Sequence, residues 1–409
     1  MPELGTCCGQ EAFSSLALGS VMLRNRIGFG PVNPGFGSLL DPRRAGDICE
    51  FYRQYAMARV GLIYLGGVAV SPEGRANVHS LTMHDPIHRR VIEQIAETVA
   101  AGGSTLAVQL MHAGRQTSSS EIGCPILAAS AEACHVIGEV PAEATRADIR
   151  RIVTRFGEAA RLAVKAGAAA IEIHAAHGYL VSGFLSQRLN RRSDCYGGSV
   201  HGRFRILREI VSEVRNAGAE CVGIRVNVSE SGRPGGTELP ELLEGLLPLV
   251  ASLDYTSVTA GIYTRSQDWI IPARKLGRAL WRHQAAALRH GLGLPIMVAG
   301  NIDSVELANQ VVQEESADLV LMVRALLADP NLITKWVDGR SDCVQPCTEL
   351  FYCKYHSRGA PHVYCPHNPV LRKRFGADYH GAPRQATADS GAYRRMPYAA
   401  RKSRTCEEP

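Results

Sequence analysis

Short apolar, β-branched runs alternate along this chain with longer stretches in which apolar residues recur every three or four positions. The runs fall near residues 27–31, 61–68, 105–110, 168–174, 221–227, 255–259, 295–299 and 317–323, and they read as strands. The stretches 86–101, 146–166, 203–215, 239–253, 273–290, 304–314 and 331–337 carry the spacing of helices that pack by one face. Eight strands alternating with helices predict an α/β fold, a closed (β/α)8 TIM barrel. An open doubly wound sheet uses the same pattern and is the alternative on this ground alone.

The polar residues sit at the joints. The fourth run is apolar from Ala168 to Ile173 and then switches to His174, His177 and Tyr179. In a parallel barrel the catalytic groups lie where strands end, because the following loops converge over one mouth. The bland alternative is two satisfied core histidines and a buried tyrosine. After the first strand, Pro31-Val32-Asn33-Pro34-Gly35 forms a kinked turn that holds backbone groups close to a ligand. Gln109 ends the third strand, and Arg225 is a lone cation inside the apolar fifth. Such an arginine needs a partner, either the oxygens of a cofactor ring, a buried anion or a neighbouring carboxylate. Gly300-Asn301-Ile302-Asp303 and Val323-Arg324-Ala325 each lead into a helix. A glycine-bearing turn, a helix N-terminus and an arginine make a phosphate cradle, at the joints where barrels of this type hold phosphate. The alternative is that Gly300 merely turns the chain and Arg324 packs against Asp329.

Composition narrows the function classes. The 409 residues are 45% apolar, enough for one large α/β domain with an appendage or for two ordinary domains. The formal charge of +6 is dispersed, with no dense basic stripe interleaved with aromatics, so nucleic acid is not an expected partner. The first residues lack a charged start followed by an apolar core, and no apolar run is long enough to span a bilayer. A soluble, cytoplasmic protein with no membrane partner is expected. Its 12 cysteines then read as thiols and metal ligands rather than disulfides. Most are scattered; Cys343, Cys347, Cys353 and Cys365 fall together.

Several separated motifs together resemble the Old Yellow Enzyme family of FMN-dependent barrel oxidoreductases, in particular its iron–sulfur branch, which includes 2,4-dienoyl-CoA reductase and trimethylamine dehydrogenase. They are Leu23-Arg-Asn-Arg-Ile27, Gln109-Leu-Met-His-Ala-Gly-Arg115, Ile171-Glu-Ile-His-Ala-Ala-His-Gly-Tyr-Leu180, Phe184-Leu-Ser186, Asn190-Arg-Arg192, Tyr196-Gly-Gly-Ser199 and Arg324-Ala-Leu-Leu-Ala-Asp-Pro330. The resemblance implies FMN across the barrel mouth, with Pro31, Val32 and Asn33 facing the redox-active edge of the ring. Gln109 would bond its pyrimidine side, and Arg225 would offset negative charge on the reduced flavin. Gly300, Asn301 and Arg324 would hold the phosphate, with Val323 standing where the family usually has glycine. His174 and His177 would bind a substrate oxygen, typically the carbonyl of an α,β-unsaturated compound, whose β-carbon then accepts hydride from the flavin. Tyr179 would deliver the proton to the adjacent carbon. Metal binding by the histidine pair is the weaker alternative, since no third ligand stands near it in the sequence.

Cys343-x3-Cys347-x5-Cys353-x11-Cys365, followed by Pro366-His367-Asn368-Pro369, is similar to the [4Fe-4S] segment that follows the barrel in that branch, although the first two gaps are wider than usual. A structural zinc and a loop without any cluster are the other readings. The expected organisation is a barrel over residues 1–340, a short cysteine-rich iron–sulfur segment over 341–375 and a basic tail over 376–409. The loop 261–269 lacks the histidine that dienoyl-CoA reductases carry there, which leaves the substrate unassigned. The expected reaction is ene-reduction of a small-molecule substrate. Electrons would come from NAD(P)H at the mouth or from a separate flavin or ferredoxin-type reductase through the cluster. Oxidation of an amine or saturated carbonyl compound, and a non-catalytic electron-transfer subunit, are the alternatives. A homo-oligomer is expected.

Overall fold

The computed structural model describes residues 10–35, 43–230, 236–263, 266–351, 353 and 363–375. The basic tail expected over 376–409 lies outside them. Eight parallel strands, Ile27–Phe29, Leu62–Ala69, Thr105–Met111, Ala170–Ala175, Val222–Asn227, Tyr255–Thr259, Ile296–Val298 and Leu319–Met322, close into a barrel in sequence order. The eighth returns to the first through Val320↔Ile27 and Met322↔Phe29. Closure removes the open doubly wound alternative and leaves the barrel sheet itself without an edge. Each predicted strand is present, shortened or extended at its ends by a residue or two.

Alternation along the strands divides the apolar residues into two sets. Outward side chains such as Ile63, Val108, Ile171, Ile173 and Ile224 join the surrounding helices in one large cluster. Inward side chains form a second, smaller cluster of Leu62, Ala107, Ala170, Cys221, Tyr255, Met297, Leu319 and Leu321. An antiparallel hairpin, Leu16–Leu18 with Val21–Leu23, caps it from below with Leu16, Leu18 and Leu23. The motif that follows the hairpin stitches this floor together. Arg24 donates to the carbonyls of Ala56, Val60 and Gly102, each at 2.9 Å, and Asn25 Nδ2 donates to the Arg59 carbonyl at 2.8 Å. The Leu23–Ile27 motif is therefore structural.

The outer helices Pro86–Ala101, Arg146–Lys165, Arg205–Asn216 and Val305–Gln313 match the periodic stretches closely. Arg146–Lys165 begins at a capping box in which Thr145 and Asp148 satisfy each other's backbone NH groups. Two expectations change. The stretch 273–290 is broken at Gly277, whose φ of +114° no helix accommodates, so its helix runs Arg282–Leu292. The stretch 239–253 tightens after Leu246 into a 3-10 turn that contains Pro248. Among the described residues the longest helix that was not foreseen is Arg43–Met57. Its buried face, Ile48, Phe51, Tyr52, Tyr55 and Ala56, has the three-to-four spacing, and Tyr55 stacks on Phe29 with centroids 4.1 Å apart. Among the described residues no helix is long and apolar enough to cross a membrane.

Candidate active site

The C-terminal ends of the third to sixth strands carry a belt of inward polar side chains. Strand pairing sets Gln109 beside Glu172, His174 beside Arg225, Arg225 beside Ser257, and Asn227 beside Thr259. All of these are buried. A polar belt above an apolar inner layer marks the level at which the barrel stops being packing and becomes a site.

His174 accepts a hydrogen bond from the Ala176 amide at Nδ1, 3.2 Å. That bond places the ring proton on Nε2 and makes the free side of the ring a donor. Burial, reinforced by the Arg225 charge, drops its pKa to about 3. The same two causes, with His174 added, hold His177 well below the ordinary imidazole value. Both rings are therefore neutral at physiological pH. His177 has a left-handed φ of +63°, and its Nε2 meets Thr259 Oγ1 at 3.0 Å. This tight turn carries its ring to 5.2 Å from His174, centroid to centroid. Tyr179 follows with its ring 4.9 Å from His174 and its hydroxyl 3.4 Å from that of Tyr263. Burial, with Tyr263 alongside, raises its pKa well above that of a free phenol. Beside it lies a small recess lined by Arg115, Ser130, Tyr179 and Leu189 among others. The structure thus brings together the three residues expected to act on substrate.

The residues expected to hold a flat cofactor ring fit that task at two positions. Gln109 Nε2 donates to Glu172 Oε1 at 2.7 Å, which leaves the amide oxygen as an acceptor. Arg225 Nη1 donates to Ser257 Oγ at 3.1 Å, while Arg225 Nε and Asn227 Nδ2 are buried with no hydrogen-bond partner among the described residues. An acceptor beside orphaned donors matches an imide edge, where an N–H adjoins carbonyl oxygens. Glu172 is the carboxylate whose charge acts on Arg225, as the neighbouring-carboxylate reading expects. Asn33 Oδ1 accepts from the Gly35 amide at 3.0 Å, which braces the turn that carries Pro31 and Val32.

At the seventh and eighth joints, Arg324 Nη2 donates to Asn301 Oδ1 at 2.7 Å and to the Pro272 carbonyl. Arg324 Nη1 pairs with Glu349 Oε1 at 2.9 Å, and the Arg274 amide donates to the same oxygen at 2.8 Å. A carboxylate of this chain, that of Glu349, therefore occupies the donors of Arg324 and the Arg274 amide. Asp329 pairs instead with Lys335, so the alternative partner for Arg324 drops out. The Gly300 carbonyl accepts from the Leu280 amide, and Val323 caps the short helix that begins at Arg324.

The cysteine segment adjoins this cradle. Cys347, Cys353 and Cys365 line one small recess together with Arg324, Phe351 and Tyr364. Cys343 lies apart and exposed in the 3-10 turn Ser341–Cys343, its carbonyl held by Lys335 Nζ at 2.9 Å. Among the described residues no group of three or more His, Cys, Asp or Glu side chains stands close enough to hold a metal ion. The geometry as it stands therefore supplies three of the four thiols on one wall and not a closed ligand set. Asn368 anchors the segment, with Nδ2 donating to Gln54 Oε1 at 3.0 Å and to the Leu327 carbonyl at 3.1 Å.

Sequence reasoning passed over Glu172, Tyr64, Tyr255, Ser257 and Glu349. The first was legible from parity, since Glu172 shares the inward face of its strand with Ala170 and His174. Glu349 had no local signal, because it reaches the cradle only through the tertiary path of its loop.

A closed parallel barrel in sequence order, with a buried polar belt at the C-terminal ends of its third to sixth strands and an arginine at its last joint, has the architecture of the barrel enzymes whose sites lie at that mouth. Within that class the chain belongs to the NADH:flavin oxidoreductase / NADH oxidase family, whose model matches residues 11–342. It is 31% identical to a metal reductase of Desulforamulus reducens, over 82% of this chain and 50% of that protein, so the chain spans about half the length of this relative. It is 32% identical to an NADPH dehydrogenase of Halalkalibacterium halodurans, over 78% of this chain and 92% of that one. A solved complex of 2-naphthoyl-CoA reductase superposes with a TM-score of 0.81 at 24% identity, covering 91% of this chain and 58% of that one, and shows the shared fold.

Proposed function

We propose that the chain is an FMN-dependent oxidoreductase of the ene-reductase type, reducing an activated C=C bond conjugated to a carbonyl, with NAD(P)H as electron donor. The observation that carries this reading is the neutral imidazole pair with His174 Nε2–H fixed as a donor, beside the Tyr179 phenol. Gln109 and Arg225 would hold the ring, the backbone at Pro31 and Val32 would border it, and Gly300, Asn301, Val323 and Arg324 would hold the phosphate, Glu349 giving way to it. Bound FMN supplies hydride-transfer chemistry that no side chain can provide.

The residues of this chain do the rest. His174 and His177 hydrogen-bond the substrate carbonyl oxygen and draw electron density away from its β-carbon. Their neutrality matters, because a charged pair would repel Arg225 as well as demand solvation that the buried mouth lacks. Tyr179 holds its proton at Oη until the α-carbon becomes basic enough to take it. A cationic amine substrate would meet imidazole donors and the Arg225 charge, which disfavours the amine-oxidation alternative. The test is anaerobic: the purified yellow protein should bleach with NADPH and recover its colour on 2-cyclohexen-1-one. A flavin that is reduced by amines and indifferent to enones overturns the reading.

The [4Fe-4S] cluster on Cys343, Cys347, Cys353 and Cys365 is the finer part of the proposal. What supports it is the recess shared by Cys347, Cys353 and Cys365 next to Arg324; Cys343 would have to leave its turn to join them. No step of the reaction depends on it. Iron and acid-labile sulfide counts on anaerobically purified protein decide it, and zinc in their place indicates the structural-metal reading.

A further inference from the structure

Glu172 is wholly buried in the middle of the barrel and none of the chemistry above uses it. Its carboxylate accepts from Tyr64 Oη at 2.8 Å and from Gln109 Nε2 at 2.7 Å. Tyr64 in turn meets Tyr255 Oη at 3.1 Å and Met297 Sδ at 3.2 Å. Gly223 pairs with Glu172 across the sheet and makes room for this network, since a Cβ there would fall 2.1 Å from the Tyr255 ring. Arg225 stands two residues further along the same strand, and each charge acts on the other's titration. A purely structural carboxylate in an apolar barrel would be a poor choice, because burying it opposes ionisation and an apolar side chain of equal volume packs as well.

We propose that Glu172 is a positioning residue for the cofactor ring: it locks Gln109 with its carbonyl oxygen toward the mouth and balances Arg225, and so tunes the flavin's midpoint potential. The inference rests on the proposed seat of the ring over Gln109 and Arg225. A carboxylate obliges Gln109 to donate through Nε2, which selects a ring edge that presents an N–H. The same negative charge partly cancels the Arg225 field that favours the reduced, more negative flavin. Glu172 thereby moderates the potential while the neighbouring arginine raises it.

The test uses FMN-loaded E172Q and E172D, with the midpoint potential read against a reference dye and sulfite affinity read by bleaching. In E172Q the charge is gone, so sulfite should bind about tenfold tighter. The potential should rise by the equivalent of about tenfold, about 30 mV for a two-electron couple. E172D keeps the charge and should stay at the wild-type potential, while FMN binds more weakly because the shorter side chain releases Gln109. Wild-type potential and sulfite affinity in E172Q overturn the proposal, as does an E172D potential that moves as far as that of E172Q. Should E172Q fail to fold, E172D decides by itself: unchanged FMN affinity overturns the positioning role. R225Q separates this from the seat of the ring. If the ring lies elsewhere, R225Q leaves the potential unchanged; if only Glu172 is idle, R225Q still lowers it.

Discussion

At the residue scale, His174, His177 and Tyr179 were recognisable as polar intrusions at the end of an apolar run, but their states were not. The amide of Ala176 selects the His174 tautomer, and the closed barrel keeps both rings neutral. Their roles separate in a mutant series. Y179F should lower turnover on an enone by about 10²-fold or more, the usual contribution of a general acid, while flavin content and the rate of reduction by NADPH stay unchanged. Stopped-flow separation of the two half-reactions measures this; equal loss in both would remove Tyr179 from the proton-donor role. At Asn33 the local chemistry is visible in the sequence: an Asn followed by Pro and Gly favours a side-chain-braced turn, and its Oδ1 accepts from the Gly35 amide.

At the scale of elements, the barrel strands were legible because each is a compact apolar run bounded by turn residues. The helix Arg43–Met57 was not, because charged residues fill its outer face and Gly46 interrupts its start, although its inner face keeps the spacing. The hairpin Leu16–Leu18 with Val21–Leu23 was missed for its brevity, since three-residue strands carry no measurable period. It forms the floor, far from the mouth. L18A should therefore cost about 3 kcal/mol in urea unfolding, the usual loss for a fully buried leucine, with the flavin spectrum unaltered. The cysteine segment hangs on Asn368, which binds Gln54 and Leu327 and caps the helix Pro369–Phe375 through Val370 and Leu371. N368A should loosen that segment alone. Thiol titration with a chromogenic disulfide should then proceed faster at Cys347 and Cys365, with flavin content preserved; an unchanged rate would mean that the recess holds without this anchor.

For the molecule as a whole, burial of neutral histidines makes stability depend on acidity. Burial depresses His112 to about 4 and His174 to about 3, with His177 also well below its ordinary value. In the unfolded chain an imidazole titrates near 6.5. Above that pH both states are neutral and the full stability is present. Below it the unfolded state binds protons that the folded state refuses, so stability falls by about 1.4 kcal/mol per pH unit for each such imidazole until the folded pKa is reached. Urea midpoints should drop between pH 7 and pH 5, and H112N should show a shallower slope; parallel slopes would contradict it. By itself the sequence determined the strand count, the order of the joints and the residue types at each, because hydrophobic periodicity and turn chemistry are local properties. Only the tertiary structure decided the rest. The folded barrel set Glu172 among Gln109, Tyr64 and Arg225, and the chain beyond the eighth strand brought Glu349 onto Arg324. Those contacts join side chains that are distant in the chain and meet only once the strands have paired and packed.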